Sequence, residues 1–227
     1  MAELFETLFP NVVKLMPAIQ KALSETLIMV SISGVFATLI GLPVGVLLVI
    51  TDEHHIWPHK LFNSVLSKCI NVLRSIPFVI LIAAIPWLVR AIVGTTIGVR
   101  GAIVPLVVAS SPFVARQIDL ALRKVDAGVI EAYQAMGFSV WGIVWQVMLR
   151  EGLGGIIQAI TVSFISLLGF SAIAGSVGGG GLGDFAIRYG YNMFKNDVML
   201  FTIVIILTMV FLIQWLGDWM YEKTLHL

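Results

Sequence analysis

Five apolar stretches, each close to the length needed to cross a bilayer, follow one another along this chain of 227 residues. They cover residues 25–50, 64–89, 102–118, 153–174 and 198–217. A membrane-spanning helix requires about 20 predominantly apolar residues. Charged residues make up only 12% of the chain, too few to cover a water-exposed surface, since soluble domains carry about 25%. The sequence therefore predicts an all-α membrane protein with about five transmembrane helices.

The second stretch contains two residues that are unusual in a membrane helix. Pro77 lies inside it, and membrane helices tolerate proline where neighbouring groups satisfy the freed backbone. Arg74 carries a charge that is costly in the bilayer, so we expect its side chain to face protein or water. Snorkelling of the guanidinium to the nearer interface is the alternative. We assign both residues a structural role.

Few residues could carry chemistry. Cys69 is the single cysteine, so an intramolecular disulfide is excluded and no metal cluster is supported. His55 and His59 could bind a metal if they shared a helix face, but the Trp57-Pro58 pair between them argues against one. The net charge of +1 gives no electrostatic reason to expect nucleic-acid binding. The sequence predicts no metal site and no enzyme active site.

A run of glycines imitates a nucleotide-binding loop. Residues 178–183 satisfy the pattern Gly-x-Gly-x-x-Gly, but that motif needs a preceding strand within a βαβ unit. The run lies between two predicted spans, and no lysine in the chain directly follows a glycine. We therefore expect no cofactor in this chain. Residues 175–183 are instead predicted to form a loop on the outer side, in which some glycines adopt positive φ angles.

A polar segment interrupts the apolar pattern between the third and fourth stretches. Asp126 and Gly137 are suitable N-terminal and C-terminal capping residues for a helix of about ten residues between them. On such a helix one face would carry small side chains and a single carboxylate: Gly128, Glu131, Ala132 and Ala135. That face would allow a partner surface to approach closely. A short amphipathic connector lying on the membrane surface is the alternative.

The same segment resembles the cytoplasmic signature of type I ATP-binding cassette (ABC) importers, Glu-Ala-Ala-x3-Gly-x9-Ile-x-Leu-Pro. The residues that match it at the right spacing are Glu131, Ala132, Gly137 and Leu149, whereas Tyr133, Val147 and Arg150 depart from it. In that family the segment is the coupling helix that docks into the ATP-hydrolysing subunit. The resemblance implies this role for Gly128, Glu131, Ala132, Ala135 and Gly137.

Further motifs, from about Glu25 onward, resemble those of methionine-uptake permeases. They are Gly41–Gly45, Ile92–Thr95, Ala102–Pro105, Gly169–Ala172, Val177–Gly183, Tyr189–Tyr191 and Gln214–Asp218. The run Asn71–Phe78 resembles the Arg-Ser-Ile-Pro turn of type I importer permeases. The resemblance implies a homodimer bound to two ATPase subunits, which hold ATP and Mg²⁺, and an extracytoplasmic substrate-binding protein. It also implies a multi-pass protein of the bacterial plasma (inner) membrane, with the N-terminus outside and the C-terminus in the cytoplasm.

The chain is predicted to divide into three parts, the first of them indicated by the helical spacing of apolar residues over 4–19. An interfacial segment over residues 1–21 would precede a type I transmembrane domain over 22–218 and a cytoplasmic tail over 219–227. Within the fourth stretch, a stripe of hydroxyl side chains is the candidate lining of the substrate pathway: Thr161, Ser163, Ser166 and Ser171. Hydrogen bonds from these hydroxyls back to carbonyls of their own helix are the alternative.

The predicted function is that of the permease subunit of a methionine importer, with the preference for the L or D form left open. A type I permease for another amino acid or small solute is the alternative. A secondary transporter is disfavoured because no Asp or Glu lies central to any predicted span. A membrane enzyme would need a cluster of His, Asp and Glu that the sequence does not offer.

Overall fold

The computed structural model describes residues 9–224, and all regular secondary structure in that range is helical. The helices are α1 (Pro10–Lys14), α2 (Met16–Ile50), α3 (Lys60–Ser75), α4 (Phe78–Ala84), α5 (Pro86–Val93), α6 (Gly98–Leu122), α7 (Ala127–Ala135), α8 (Val140–Ile143), α9 (Leu149–Glu151), α10 (Leu153–Ala174), α11 (Gly181–Phe185) and α12 (Asn196–Thr224). Wider, π-type or irregular turns cover Val144–Met148, Gly175–Gly179 and Ala186–Tyr191.

Four described helices, α2, α6, α10 and α12, are long and apolar enough to cross a membrane. The bent pair of α3 and α4 supplies a fifth candidate span. The predicted all-α class with about five spans is therefore confirmed. The fourth predicted stretch, residues 153–174, coincides with α10.

Three spans are longer than the apolar stretches that predicted them. Helix α2 begins at Met16, with Pro17 in the first turn, where a missing N–H is tolerated. It continues past the interior Pro43 to Ile50. Helix α6 extends past residue 118 to Leu122, and Asp119 in its last turn pairs with Arg116 and with Arg123, which follows the helix. Helix α12 continues to Thr224. The predicted interfacial segment partly lies outside the described residues, which start at residue 9.

The second stretch is not one continuous helix, contrary to the prediction of a span over residues 64–89. Helix α3 ends at Ser75, and α4 leaves it at an angle of 97°. The residue before a proline is disfavoured in the helical region, and Ile76 accordingly has φ −77° and ψ 119° ahead of Pro77. Pro86 differs in that it occupies the first turn of α5, after Ile85 with φ −111° and ψ 26°. The prolines therefore divide this stretch into three helices.

The glycine run is more structured than the predicted loop over residues 175–183. Positive φ angles occur at Gly178, Gly180 and Gly181, as expected, but α11 already begins at Gly181. Its first backbone N–H groups donate to side chains of α2: Gly181 to the Glu25 carboxylate at 2.8 Å and Leu182 to the Thr26 hydroxyl at 2.8 Å. These acceptors satisfy donors that a helix start leaves free, which explains why the helix forms there.

The chain divides into two compact units. The first comprises the chain up to Gly34, Pro77–Val107 and Ile165–Ile213, and the second comprises Val35–Ile76, Val108–Phe164 and the chain from Gln214 onward. In the second unit, Gly45 allows α2 to pack directly on α6, since an added Cβ would lie 2.7 Å from the Ala115 carbonyl oxygen. Small residues permit this close approach of membrane helices. The core of this unit includes Ile130 of the proposed coupling segment.

Arg74 occupies the last turn of α3, beside the break, and not the interior of a continuous span. Its side chain is exposed, and its guanidinium carbon lies 5.9 Å from the centre of the Phe113 ring. A cation there also interacts favourably with the carbonyl end of the helix. The predicted position of Arg74 inside a continuous span is therefore wrong, because the helix ends shortly after Arg74, ahead of Pro77.

The Arg74→Leu substitution is therefore expected to reduce stability by only about 1 kcal/mol, the sum of a cation–π contact and a helix-end interaction. Arg74→Lys keeps the charge and should cost less. Thermal unfolding of the detergent-solubilised variants measures both effects. A leucine variant that unfolds below room temperature would mean that Arg74 has a partner beyond Phe113, such as a second copy of the chain.

Candidate coupling site

The N-terminus of α7 is fixed by a local cap. The Asp126 side chain accepts hydrogen bonds from the backbone N–H of Gly128 at 2.7 Å and of Val129 at 3.2 Å. An N-terminal cap of this kind contributes about 1 kcal/mol to helix stability. The predicted N-terminal cap is confirmed, and it fixes where the helix starts after α6.

The C-terminus of α7 is closed by a Schellman motif. Gly137 has a φ of 80°, its N–H donates to the Gln134 carbonyl at 3.0 Å, and the Phe138 N–H donates to the Tyr133 carbonyl at 3.2 Å. The accompanying apolar contact is present as well, since the Tyr133 and Phe138 rings lie 4.9 Å apart, edge to face. The predicted end at Gly137 is confirmed. Tyr133, which departs from the importer signature, supplies a ring that packs against the turn.

One side of α7 is anchored and the other is free. Ile130 is only 7% exposed and packs in the core of the second unit, with Tyr133 beside it. The predicted small-residue face is exposed along its length: Gly128, Glu131, Ala132 and Ala135. Within residues 9–224, Glu131 forms no hydrogen bond or ion pair through its carboxylate. The segment thus presents an unpaired carboxylate among small exposed side chains, on a helix whose opposite side is anchored in the core.

The chain returns to the core directly after α7. The Ser139 hydroxyl caps α8 by accepting a hydrogen bond from the Gly142 N–H at 3.2 Å. The wide turn Val144–Met148 then buries Val144, Val147 and Met148. Arg150, which replaces the proline of the signature, lies within the helical turn α9. Without that proline the helical path continues to Glu151.

A buried charge network lies at the end of α6, just before α7. Asp119 is fully buried, and its carboxylate accepts hydrogen bonds from Arg116 at 2.9 Å and from Arg123 at 2.8 Å. Arg123 also reaches Asp52, in the loop after α2, at 2.8 Å. The network therefore ties that loop to the segment leading into the coupling site.

This network was not predicted from the sequence. The signal that could have revealed it is the spacing of Arg116, Asp119 and Arg123 at i, i+3 and i+7, which places the carboxylate within helical reach of both cations. Burial raises the pKa of the Asp52 carboxyl, but the hydrogen bond and charge of Arg123 outweigh burial and hold that pKa below its ordinary value. Asp52 is thus ionised at neutral pH and keeps its pairing with Arg123.

The loop after α2 also lies against α7. His54, His55, Glu131 and Gln134 border a small cleft of about 110 Å³. Burial and the positive charge of Arg123 lower the pKa of His55, against the opposing effect of Asp52, so its imidazole is neutral at neutral pH. The His55 Nδ1 atom is buried and has no hydrogen-bond partner among the described residues. Within residues 9–224, no group of three or more His, Cys, Asp or Glu side chains is placed to hold a metal ion.

The candidate pathway hydroxyls behave as the alternative interpretation expected. Three of them are buried and donate to carbonyls of their own helix: Thr161 to Ile157 at 2.8 Å, Ser163 to Ala159 at 2.7 Å, and Ser171 to Leu168 at 2.7 Å. Ser166 is partly buried. A role in lining the pathway stays a prediction for all four.

These features define the class of protein: a multi-pass membrane subunit with a capped surface helix between the spans α6 and α10. The chain matches the family model described as "binding-protein-dependent transport system inner membrane component" over residues 41–225. It belongs to that family. As an inner membrane component with several apolar helices, it is a multi-pass membrane protein.

Two curated relatives illustrate the similarity. The chain is 41% identical over 202 residues to the probable D-methionine transport system permease protein MetI of Vibrio cholerae, covering 89% of this chain and 90% of that protein. It is 43% identical over 215 residues to the methionine import system permease protein MetP of Bacillus subtilis, covering 95% and 96%.

Solved structures share the fold. The chain is similar to a chain of the MetNI methionine ABC transporter in an inward-facing conformation, with a TM-score of 0.91, 41% identity, and coverage of 93% of this chain and 98% of that one. An amino acid ABC transporter crystallised with histidines matches with a TM-score of 0.78 at 22% identity, covering 95% and 98%. The second likeness concerns the fold alone.

Proposed function

We propose that this chain is the permease subunit of an ATP-driven importer and forms the transmembrane pathway for methionine. The observation that carries the proposal is the agreement, over 93% of the chain, with a subunit fold of the MetNI methionine ABC transporter at 41% identity. The names of the relatives MetI and MetP support the same substrate. The stereochemical preference is left to experiment.

The partners follow from this role. Two chains would form the pathway together, and two separate ATPase subunits would bind ATP and Mg²⁺ and supply the energy. A substrate-binding protein outside the membrane would deliver the amino acid. The proposed orientation has the N-terminus outside and α7 in the cytoplasm, with a type I transmembrane domain over residues 22–218 between the flanking segments 1–21 and 219–227.

The coupling site is built to pass a force into the membrane. A load applied to the exposed face of α7 acts on a helix whose two ends are capped and whose Ile130 side chain is held in the core. The same core contains residues of α2, α6 and α10, including Val49, Ile118 and Ile156. Since packed interiors transmit displacement with little compression, movement of α7 would move these helix ends with it. Rocking of helices by the ATPase would then open the pathway alternately to each side.

The proposed division of labour has a direct test. The purified chain alone is expected to hydrolyse no ATP, whereas the chain co-expressed with its ATPase subunit should purify as a complex that hydrolyses ATP. A catalytically inactive ATPase subunit controls for contaminating enzymes. ATP hydrolysis by the isolated chain, or failure of the two proteins to co-purify, would overturn the proposed function.

A further inference from the structure

Helix α3 is amphipathic, unlike the four long helices. Its polar side chains recur at i, i+4, i+7, i+8, i+11 and i+15, which places them on one face: Lys60, Ser64, Ser67, Lys68, Asn71 and Ser75. Exposed apolar residues occupy the adjoining side, where Leu61 is 80% and Val65 54% exposed. A third side packs into the second unit through Ile70, which is 4% exposed.

The polar face of α3 is satisfied only in part from within the chain: Lys60 donates to the Glu53 carboxylate at 3.0 Å, and the Ser75 hydroxyl donates to the Asn71 carbonyl at 2.7 Å. Among residues 9–224, the side chains of Ser67, Lys68 and Asn71 form no hydrogen bond or ion pair. At its N-terminal half the face borders a polar cleft of about 320 Å³, which also includes Asp52 and Glu53. Carboxylates and ammonium groups therefore line the same cleft.

Hydrocarbon is a poor environment for this face. An unpaired ammonium or amide group is strongly disfavoured in the bilayer core, so such groups face water or a protein cavity. The hydroxyls of α10 offer no comparable surface, because Thr161, Ser163 and Ser171 are buried and bonded to their own helix. Helix α3 thus has the more suitable polar surface for a hydrated solute.

We infer that the polar face of α3 lines the substrate pathway and contacts a zwitterionic amino acid during its passage. This inference rests on the proposed function, since it requires that the chain form a transport pathway. The free hydroxyl of Ser67 and the amide of Asn71 can replace hydration of the substrate in turn, and the unpaired Lys68 ammonium offers a partner for its carboxylate. The carboxylates of the cleft are already paired, Asp52 with Arg123 and Glu53 with Lys60. The apolar side of α3 then faces lipid or a second copy of the chain.

Cys69 provides an internal control for a test by thiol labelling. It lies two residues from both Ser67 and Asn71, a rotation of about 200° on a helix of 3.6 residues per turn, and therefore on the opposite side. It is also exposed. The variants Ser67→Cys and Asn71→Cys, made in a Cys69→Ser background, are compared with native Cys69 and with the buried Ser163→Cys.

The complex with its ATPase subunits, in lipid nanodiscs, is treated with a small charged methanethiosulfonate reagent without nucleotide and again with ATP and vanadate. Because only the hydrated thiolate reacts, the polar-face cysteines are expected to react about tenfold faster than Cys69 or the cysteine at 163. Their rates should also change about fivefold or more between the two states, as alternating access requires.

Rates that are fast but equal in both states would show that α3 lies on the membrane surface, and would overturn the inference. Rates no faster than that of Cys69 would overturn it as well, because they would place the face out of contact with water. ATP-dependent methionine uptake by the Cys69→Ser parent complex is measured in parallel. If that uptake is present and the labelling result is negative, only the inference fails; absent uptake counts against the proposed function.

Discussion

A valine at position 137 is expected to abolish methionine uptake while leaving the chain inserted in the membrane. Gly137 has a φ of 80° with no atom within 4 Å of an added Cβ, so the substitution is opposed by the backbone and not by lack of space. A left-handed conformation costs an L-residue about 1–2 kcal/mol, and a β-branched one more. The Schellman motif would open, and α7 would lose the geometry that the ATPase subunit must match.

Glu131→Lys is expected to give the same loss by a different route. Loss of one charged, hydrogen-bonded partner in a desolvated interface costs about 2–5 kcal/mol, whereas an exposed ion pair is worth about 0–1 kcal/mol. Reversal of the Glu131 charge would therefore reduce binding of the ATPase subunit at least tenfold if the carboxylate is buried by that partner. A pull-down of the ATPase subunit, beside an uptake assay with labelled methionine, measures both variants.

Each variant has a matched control in the chain. Gly94 closes α5 with a φ of 77° and open space around it, so Gly94→Val imposes the same backbone strain away from α7. Glu151 is an exposed carboxylate, so Glu151→Lys makes the same charge change in α9. Both controls should bind the ATPase subunit and support uptake. Normal binding and uptake by Gly137→Val and Glu131→Lys would show that α7 is only a surface connector.

Removal of the buried carboxylate of Asp119 is expected to cause a large loss of folding stability. Asp119→Ala leaves the cations of Arg116 and Arg123 without their shared partner. Breaking a buried ion pair from one side costs about 3–5 kcal/mol, and we expect about 3 kcal/mol because the two arginine side chains are 34% and 39% exposed. Thermal unfolding of the detergent-solubilised chain gives the measurement.

Asp52→Ala is the control for Asp119→Ala. It removes an acceptor of Arg123 whose side chain is 29% exposed, so solvent can compensate and the loss should be about 1 kcal/mol or less. Equal losses for the two variants would mean that burial of Asp119 does not determine the stability of this region. The Asp119 variant should also weaken coupling, since the network connects the loop after α2 to the chain entering α7.

The sequence predicted the coupling helix well because its ends are determined locally. Asp126 and Gly137 each act on backbone groups within a few residues, so their identities were sufficient. The division at Pro77 and Pro86 was not predicted, because prolines are tolerated inside membrane helices and only tertiary structure decides whether one breaks the helix. The treatment of residues 64–89 as one apolar stretch also concealed the amphipathic pattern of α3.

The link from the Asp119 network to Asp52 was missed for a different reason. Pairing of Arg123 with Asp52 joins residues 71 positions apart in the chain, and composition or periodicity carries no information about that contact. The pattern of charges around residue 119 instead suggested the end of the third apolar stretch. The direction of the hydroxyl side chains on α10 was equally undetermined, since lining a pathway and bonding to a helix carbonyl require the same residue types.

The most direct test of the account is transport by the purified complex. The chain and its ATPase subunit are reconstituted in liposomes with the substrate-binding protein on the side opposite the ATPase, and uptake of labelled methionine is followed with ATP and with a non-hydrolysable analogue. We predict ATP-dependent accumulation of methionine that unlabelled methionine competes away and other amino acids do not. Absence of ATP-dependent methionine uptake, or equal transport of unrelated amino acids, would contradict the account.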